Sequence, residues 1–295
     1  MTHTLPDIDS LWDFSNPAST EKKFRELLPV VERSRDEEYH AELLTQLARS
    51  QGLQRQFDLA HATLDRLEPL LVPDMARAQI RYLLERGRVF NSSRHKEQAR
   101  PLFLKAATLA EATSEYALYV DALHMLAIVD PPERAIDWNL TALGAAEKSA
   151  DPKARQWRAP LCNNIGWTYH DDLEDYPRAL VMFEKALAAR REQGDPVAIN
   201  IARWCVGRCY RSLGRLDEAL AIQRDLEVLD KNTGGSDGFV DEELAELLTL
   251  QGKPDEARPY FAAAYSKLSK DEWFKKAEPA RLERMKTLGN VGEIL

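Results

Sequence analysis

Apolar residues recur along this chain in steps of three and four, the period of one face of an α-helix. Leu83, Gly87 and Phe90 fall at i, i+4 and i+7, and Ala99, Phe103 and Ala106 do the same a little further on. Polar, turn-forming residues separate the two runs at Asn91-Ser92-Ser93. The same helix–turn–helix rhythm returns later, with breaks at Ser212-Leu213-Gly214 and Gln251-Gly252-Lys253-Pro254. Pro254 followed by Asp255-Glu256 reads as a helix start, because proline fits the first turn and acids favour the positive end of the helix dipole. The pattern predicts an all-α chain.

The rhythm has a long period. GRVFNSSRHKEQARPLFLKA (87–106) and GRCYRSLGRLDEALAIQRDL (207–226) both open with Gly, place an aromatic three residues later and Ala twelve later. Segment 245–264 repeats the frame with Ala first, and 166–186 fits it with one extra residue in the turn. Two weaker copies start by register at Ala48 and Ala127. The anchors Ala48, Gly87, Ala127, Gly166, Gly207 and Ala245 are spaced 39, 40, 39, 41 and 38 residues apart. A second set follows at Ala60, Ala99, Ala135, Ala179, Ala219 and Ala257. Small anchors let two helices approach closely, and the aromatic three residues on is expected to fill the adjoining groove. In the third copy the gap shrinks to 127–135, and Pro131-Pro132 is expected to end its first helix a turn early.

This frame resembles the tetratricopeptide repeat, W-x2-L-G-x2-Y…A-x3-F…P. Leu83/Gly87/Phe90/Ala99/Phe103/Ala106 and Gly166/Tyr169/Ala179/Phe183/Ala186 match it best. The period exceeds the usual length of about 34, and is similar to the longer repeats of kinesin light chains and of some bacterial peptide receptors. The frame's Trp is missing throughout; Leu44, Leu83, Leu123, Cys162, Arg203 and Asp241 stand in its place. The resemblance implies a right-handed superhelical solenoid of six helix-turn-helix units over 41–270. Residues 1–40 would then be an N-terminal arm and capping helix, and 271–295 a C-terminal capping helix and tail. Asn16-Pro17 should cap the first helix, with Phe24, Leu27, Leu28 and Val31 as its apolar stripe. Trp12 and Phe14 in the arm either cap the first repeat or dock on a neighbouring chain as a homo-oligomer contact. The closing helix over 271–288 should turn Trp273, Phe274, Leu282 and Met285 inward.

Composition narrows the function. Of 295 residues, 13 are Gly and 15 Pro, too few for a turn-rich β-fold or a low-complexity chain. Net charge is −8, which argues against a nucleic-acid or membrane binder. The N-terminus shows no basic-then-apolar leader, no run reaches the roughly 18 apolar residues of a membrane span, and the three cysteines fit a reducing, cytoplasmic setting. Cys205 and Cys209, one turn apart, read as small apolar core residues.

Known catalytic signatures are missing: no H-E-x-x-H, C-x-x-C, G-x-S-x-G or G-x-G-x-x-G occurs. Six scattered histidines show no metal-ligand spacing. Thr233-Gly234-Gly235-Ser236-Asp237-Gly238 lacks the Lys of a phosphate loop and reads as a mobile connection. His170-Asp171-Asp172 with Glu174-Asp175 lacks the central Gly of a calcium loop and reads as a lengthened, solvated turn. Carboxylates are expected on exposed faces. The chain is read as a non-catalytic protein- or peptide-binding scaffold without cofactor or metal, or else a ligand-gated conformational regulator or a self-associating scaffold.

The resemblance also marks one helix face as the lining of the concave groove. With each anchor at zero on its helical wheel, the packing residues fall on one side and a second stripe falls beside them. That stripe carries Arg81, Arg88 and Asn91 in the second copy. It carries Asn163, Trp167 and His170 in the fourth, with Asn164 adjoining, and Trp204, Arg208 and Arg211 in the fifth. From copy two to copy five it holds four arginines against one acid, Asp121. A positive stripe on an acidic chain, with two Trp and paired amides, is suited to an acidic or carboxylate-bearing extended segment.

Overall fold

The computed structural model describes residues 5–233 and 238–292, and of residues 232 and 233 the backbone alone. The connection expected at Thr233–Gly238 falls mostly on residues 234–237, outside the described residues. Those described form helices and turns without a β-strand. They divide into two compact units, Met1–Leu161 and Cys162–Leu295.

In the first unit a short 3-10 turn, Ile8–Leu11, precedes α1 (Pro17–Ser34), α2 (Glu37–Leu53), α3 (Phe57–Leu67), α4 (Ala76–Ser92) and α5 (Lys96–Ala112). These are followed by α6 (Tyr116–Val129), α7 (Pro132–Lys148) and the one-turn α8 (Pro152–Arg155). Helix starts follow the local chemistry. Asn16 accepts from the Ser19 N–H at 3.1 Å and Asp36 from that of Tyr39 at 3.0 Å, satisfying amides that lack a helical partner. Helix α6 has 14 residues against 17 in α4, the turn lost before Pro131-Pro132. Phe24, Leu43, Leu64 and Leu67 pack between the helices without solvent contact, and Ile8 of the arm is buried with them.

In the second unit, α9 (Arg158–Trp167, from Cys162 onward) runs into a π-helical turn, Thr168–Asp172. Then come α10 (Tyr176–Gln193), α11 (Pro196–Ser212), α12 (Leu216–Thr233), α13 (Phe239–Leu250) and α14 (Pro254–Leu268), closed by α15 (Glu272–Ala277) and α16 (Pro279–Leu288). The extra residue of the fourth copy is absorbed as that π turn, and His170 within it is buried. The closing helix is broken rather than continuous. Glu278 sits at φ −127 and ψ 45 ahead of Pro279, as a residue before proline is pushed out of the helical region. Phe274, Leu282 and Met285 turn inward as expected; Trp273 does not, being 68% exposed.

The small anchors have a definite cause. A Cβ on Gly166 would lie 2.6 Å from the Phe183 ring, and one on Gly87 would overlap Phe103. The ring that fills the groove therefore comes from the second helix of the same copy. Phe90, three residues after its anchor, instead lies tilted against His61 and edge-on to His95. In the fifth copy the ring is replaced by Gln223, whose amide is fully buried with no hydrogen-bond partner.

Candidate functional site

In the first unit the predicted stripe is not an open row of cations. Arg88 donates to both oxygens of Asp121, at 2.5 and 2.6 Å, and to Glu85 at 2.5 Å. Arg49 donates to Glu85 at 3.2 Å. These charges hold Arg88 protonated well above its ordinary range despite burial. Asp121 is buried too, which favours its neutral form, but Arg88 and Arg49 keep its carboxyl below the usual range. Asn91 borders a hollow of about 210 Å³ beside Arg49, Arg88 and Met125.

Arg81 is covered by the chain's own arm. Asp9 accepts from Arg81 at 2.9 Å and from Lys153 at 2.6 Å. Trp12 donates through Nε1 to Gln46 at 3.0 Å, stacks on Phe14 at 4.7 Å and meets Phe24 edge-on at 5.4 Å. The Arg49 guanidinium lies over both arm rings, at 5.8 and 5.5 Å. The Tyr39 hydroxyl donates to the Pro6 carbonyl at 2.7 Å. Trp12 is thus engaged within its own chain, while Phe14 remains 62% exposed.

The second unit brings most of its predicted residues together. Trp167 and Trp204 lie 6.0 Å apart, and Trp204 meets Phe239 at 5.8 Å. With Asp171, Arg208, Arg211, Glu242, Glu246, Arg281 and Arg284 the two tryptophans line an open cavity of about 480 Å³. Trp204 Nε1 donates to the Phe239 carbonyl at 3.2 Å, fixing the ring. Asn163 accepts from Cys205 Sγ at 3.5 Å. Asn164 offers its backbone carbonyl to Thr168. Neither amide is among the residues lining the cavity.

Here too the arginines are paired. Glu243, 1% exposed, receives Arg208 at 3.1 Å and Arg211 at 2.7 Å. Glu242 receives Arg281 at 2.5 Å, and Glu246 receives Arg284. The expected positive stripe is thus neutralised: Glu242 and Glu246, which the same wheel places on the stripe in the sixth copy, and buried Glu85 and Glu243 beside it pair with its arginines, where carboxylates were expected to be exposed. Burial pushes the Glu242 carboxyl upward, against the pull of Arg281. Burial likewise lowers the Arg208 guanidinium, while the Glu243 contact lifts that of Arg211 above its ordinary range. Glu85 and Glu243 each sit two residues before an anchor, outside the stripe drawn from the frame, and no local pattern marks them as partners of Arg88 or of Arg208 and Arg211.

His170 links Ser212 and Asp171, with Nε2 2.9 Å from Ser212 Oγ and Nδ1 2.6 Å from Asp171 Oδ1. This has the connectivity of an acyl-transfer triad, but the next backbone donors are already used. The N–H groups of Leu213, Gly214 and Arg215 are bonded to the Cys209, Arg211 and Tyr210 carbonyls. Acyl transfer needs free donors aimed at the developing oxyanion. The trio is therefore a positioning network that ties the π turn to the end of α11. Burial pushes the Cys205 thiol up to about 12 and that of Cys209 to about 11, so both remain neutral core groups. Among the described residues, no three or more His, Cys, Asp or Glu side chains are grouped to hold a metal ion. No described helix is long and apolar enough to cross a membrane.

With this geometry established, likeness to known proteins is informative. Residues 161–192 match the tetratricopeptide repeat family. No curated protein matches the chain significantly. Among solved structures, the apo form of RapI superposes with a TM-score of 0.74 at 14% identity, over 96% of this chain and 80% of that one. The apo quorum sensor NprR of B. thuringiensis gives 0.63 at 18%, over 95% and 79%. Repeats assigned to a kinesin light chain of Podosopora anserina give 0.53 at 16%, over 69% and 98%. At such identities the likeness establishes the fold, a tetratricopeptide-like α-solenoid.

Proposed function

We propose that this chain is a non-catalytic, cytoplasmic peptide- or protein-binding scaffold that takes an extended, carboxylate-bearing segment into the cavity of the second unit. The carrying observation is the meeting of Trp167 and Trp204 with Arg208, Arg211, Arg281 and Arg284 around one open space of about 480 Å³. Arginine presents a planar fork to a carboxylate, and indole rings supply rigid apolar area at small entropic cost. Because each arginine already has a glutamate partner, an incoming carboxylate competes with Glu242, Glu243 and Glu246 rather than meeting bare charge. Recognition should then be selective and moderate in strength, since an exchanged ion pair yields little net energy. NprR has also been solved with its cognate peptide NprX, and that complex superposes on this chain with a TM-score of 0.54 at 18% identity, over 98% of this chain and 84% of that one. This supports a peptide ligand here. In this reading 41–270 is the repeat array, and 1–40 and 271–295 are its caps.

Titration of the full chain with peptides bearing a free or an amidated C-terminus tests it. Binding should favour the free carboxylate, weaken with salt, and fall at least about tenfold (1.4 kcal/mol) in Arg208→Ala/Arg211→Ala. Equal binding to the double variant, or equal affinity for the amidated peptide, would remove the cavity from consideration.

A further inference from the structure

The inner stripe of the first unit carries arginines and carboxylates as the second does, yet a segment of the chain already lies on it. Residues 6–14, PDIDSLWDF, make contacts of the kinds expected of a bound peptide. One carboxylate, Asp9, is shared by a guanidinium and an ammonium from helices far apart in sequence, at 2.9 and 2.6 Å. One indole is fixed by a hydrogen bond to Gln46 and sits with Phe14 under a guanidinium. One backbone carbonyl, that of Pro6, accepts from a tyrosine. One aliphatic side chain, Ile8, is 5% exposed. Arg81 is itself buried, and its other partner is Glu42, at 3.2 Å. Beside this contact a hollow of about 330 Å³ remains between Asp7, Tyr39, Arg77 and Arg81.

We propose that the inner face of Met1–Leu161 is a second peptide site, masked in cis by residues 6–14. Its external ligand is a segment of the same chemistry, a carboxylate three residues ahead of an indole. This inference extends the reading that the inner stripes bind peptide segments, but it rests on different residues. It turns the arm into an internal competitor. A tethered ligand acts at an effective concentration of about a millimolar. An external peptide of micromolar intrinsic affinity is therefore held off by two to three orders of magnitude until the arm is weakened. The expected charge state agrees. Burial alone would raise the Asp9 carboxyl, but Arg81 and Lys153 carry it down to about 2, so the contact is intact across the physiological range.

The test uses the full chain and a labelled synthetic peptide of its own residues 5–16. Asp9→Ala/Trp12→Ala weakens the tethered copy while leaving Ile8 in the core and the receiving residues in place. That variant should bind the peptide at least tenfold more tightly than the wild-type chain. Adding Arg81→Ala should abolish the gain, as should an Asp→Asn change at the matching position of the peptide. Equal binding by wild type and arm variant, or a gain indifferent to Arg81, overturns the proposal. Should the arm variant fail to fold, hydrogen exchange of the wild-type arm decides. Millimolar unlabelled peptide must accelerate exchange at residues 8–12, and unchanged exchange overturns the proposal. Arg208→Ala/Arg211→Ala separates the two sites. If it removes binding of this peptide while Arg81→Ala does not, the masked site fails and the second-unit site stands. If neither matters but other carboxylate peptides still bind the second unit, the masked site alone fails.

Discussion

The two units use one repeat chemistry to opposite ends. In the first, Glu85 is held by Arg88 of its own helix and by Arg49 of the preceding copy, and the arm lies over Arg81 and Arg49 through Asp9, Trp12 and Phe14. In the second, Glu243 takes the equivalent place before its anchor but gathers Arg208 and Arg211 from the copy before it. There the surface opens into a cavity lined in part by two tryptophans. The anchor frame is the same in both. A flanking segment covers the stripe in one unit and leaves it open in the other. The repeat thus fixes which side chains point inward, and the sequence outside the frame decides whether that face is available.

The largest effects should show that the frame itself is indifferent to this distinction. Phe103→Ala and Phe183→Ala each delete a buried ring seated on an anchor glycine, and each should cost about 3–5 kcal/mol in urea unfolding. Gly166→Ala in the wild-type background drives a methyl into the Phe183 ring, so overpacking outweighs the helical gain of about 1 kcal/mol. In the Phe183→Ala background the same change should stabilise, because the methyl occupies part of the vacated space. The cycle is read as a change of sign between the two backgrounds. Loss of stability in both would mean that the glycine serves something other than the ring.

The next effect separates stability from binding. Glu243→Gln leaves two largely buried guanidiniums without a countercharge, which costs about 3 kcal/mol. The same change frees the Arg208 and Arg211 forks. Affinity for a carboxylate-bearing peptide, followed by calorimetry at constant salt, should therefore rise as stability falls. The matching Glu85→Gln in the first unit should lower stability alone while the arm stays docked. If affinity falls with stability in Glu243→Gln, the glutamate belongs to the binding surface rather than competing for it.

A smaller effect comes from the fifth copy, which like the first (Leu64) and the third (Asn139) lacks the ring. Gln223 stands where Phe103, Phe183 and Phe261 stand elsewhere, and its buried amide has no partner. Gln223→Leu should stabilise by about 1–2 kcal/mol, the cost of an unsatisfied buried polar group. Gln223→Phe should do at least as well by seating a ring on Gly207. Destabilisation by both would show that the amide has a partner in solution.

The helices, their pairing and the six anchors were legible because packing at a fixed period leaves its mark every 38 to 41 residues. The shortened α6 could be read from two prolines. What resisted reading was contact across that period. That Asp9 lies against Lys153, 144 positions on, follows from the three-dimensional path and not from any local pattern. Nor does a helical wheel show that Glu85 and Glu243 turn inward, because their place two residues before an anchor lies outside the stripe drawn from the frame. The aromatic beside each glycine was misplaced for a similar reason. Both Phe90 and Phe103 satisfy the spacing, and only the approach of α5 to α4 selects the second. Trp12 and the Trp167–Trp204 pair were identifiable as exceptional residues, but their roles as tethered and open surface depend on what covers them.

The smallest effect lies in the turns between paired helices, where the two units again differ. Seven residues past the anchor the backbone is left-handed in both: Arg55 at φ 62 and Arg94 at φ 71 in the first unit, Gly214 at φ 73 and Gly252 at φ 74 in the second. An L-residue with a Cβ is strained there by about 1–2 kcal/mol, partly offset by the roughly 0.5–1 kcal/mol of chain entropy that glycine loses. Nothing lies within 4 Å of a Cβ built on Gly214 or Gly252, so substitution at those positions reports the backbone alone. Arg94→Gly should therefore stabilise by about 0.5–1 kcal/mol, and Gly214→Ala and Gly252→Ala should destabilise by a similar amount. The changes should appear as opposite shifts of the urea midpoint at constant slope. A loss of stability in Arg94→Gly would mean that the arginine side chain compensates its own strain, and the second copy would then hold its turn by side-chain contacts where the fifth and sixth rely on glycine.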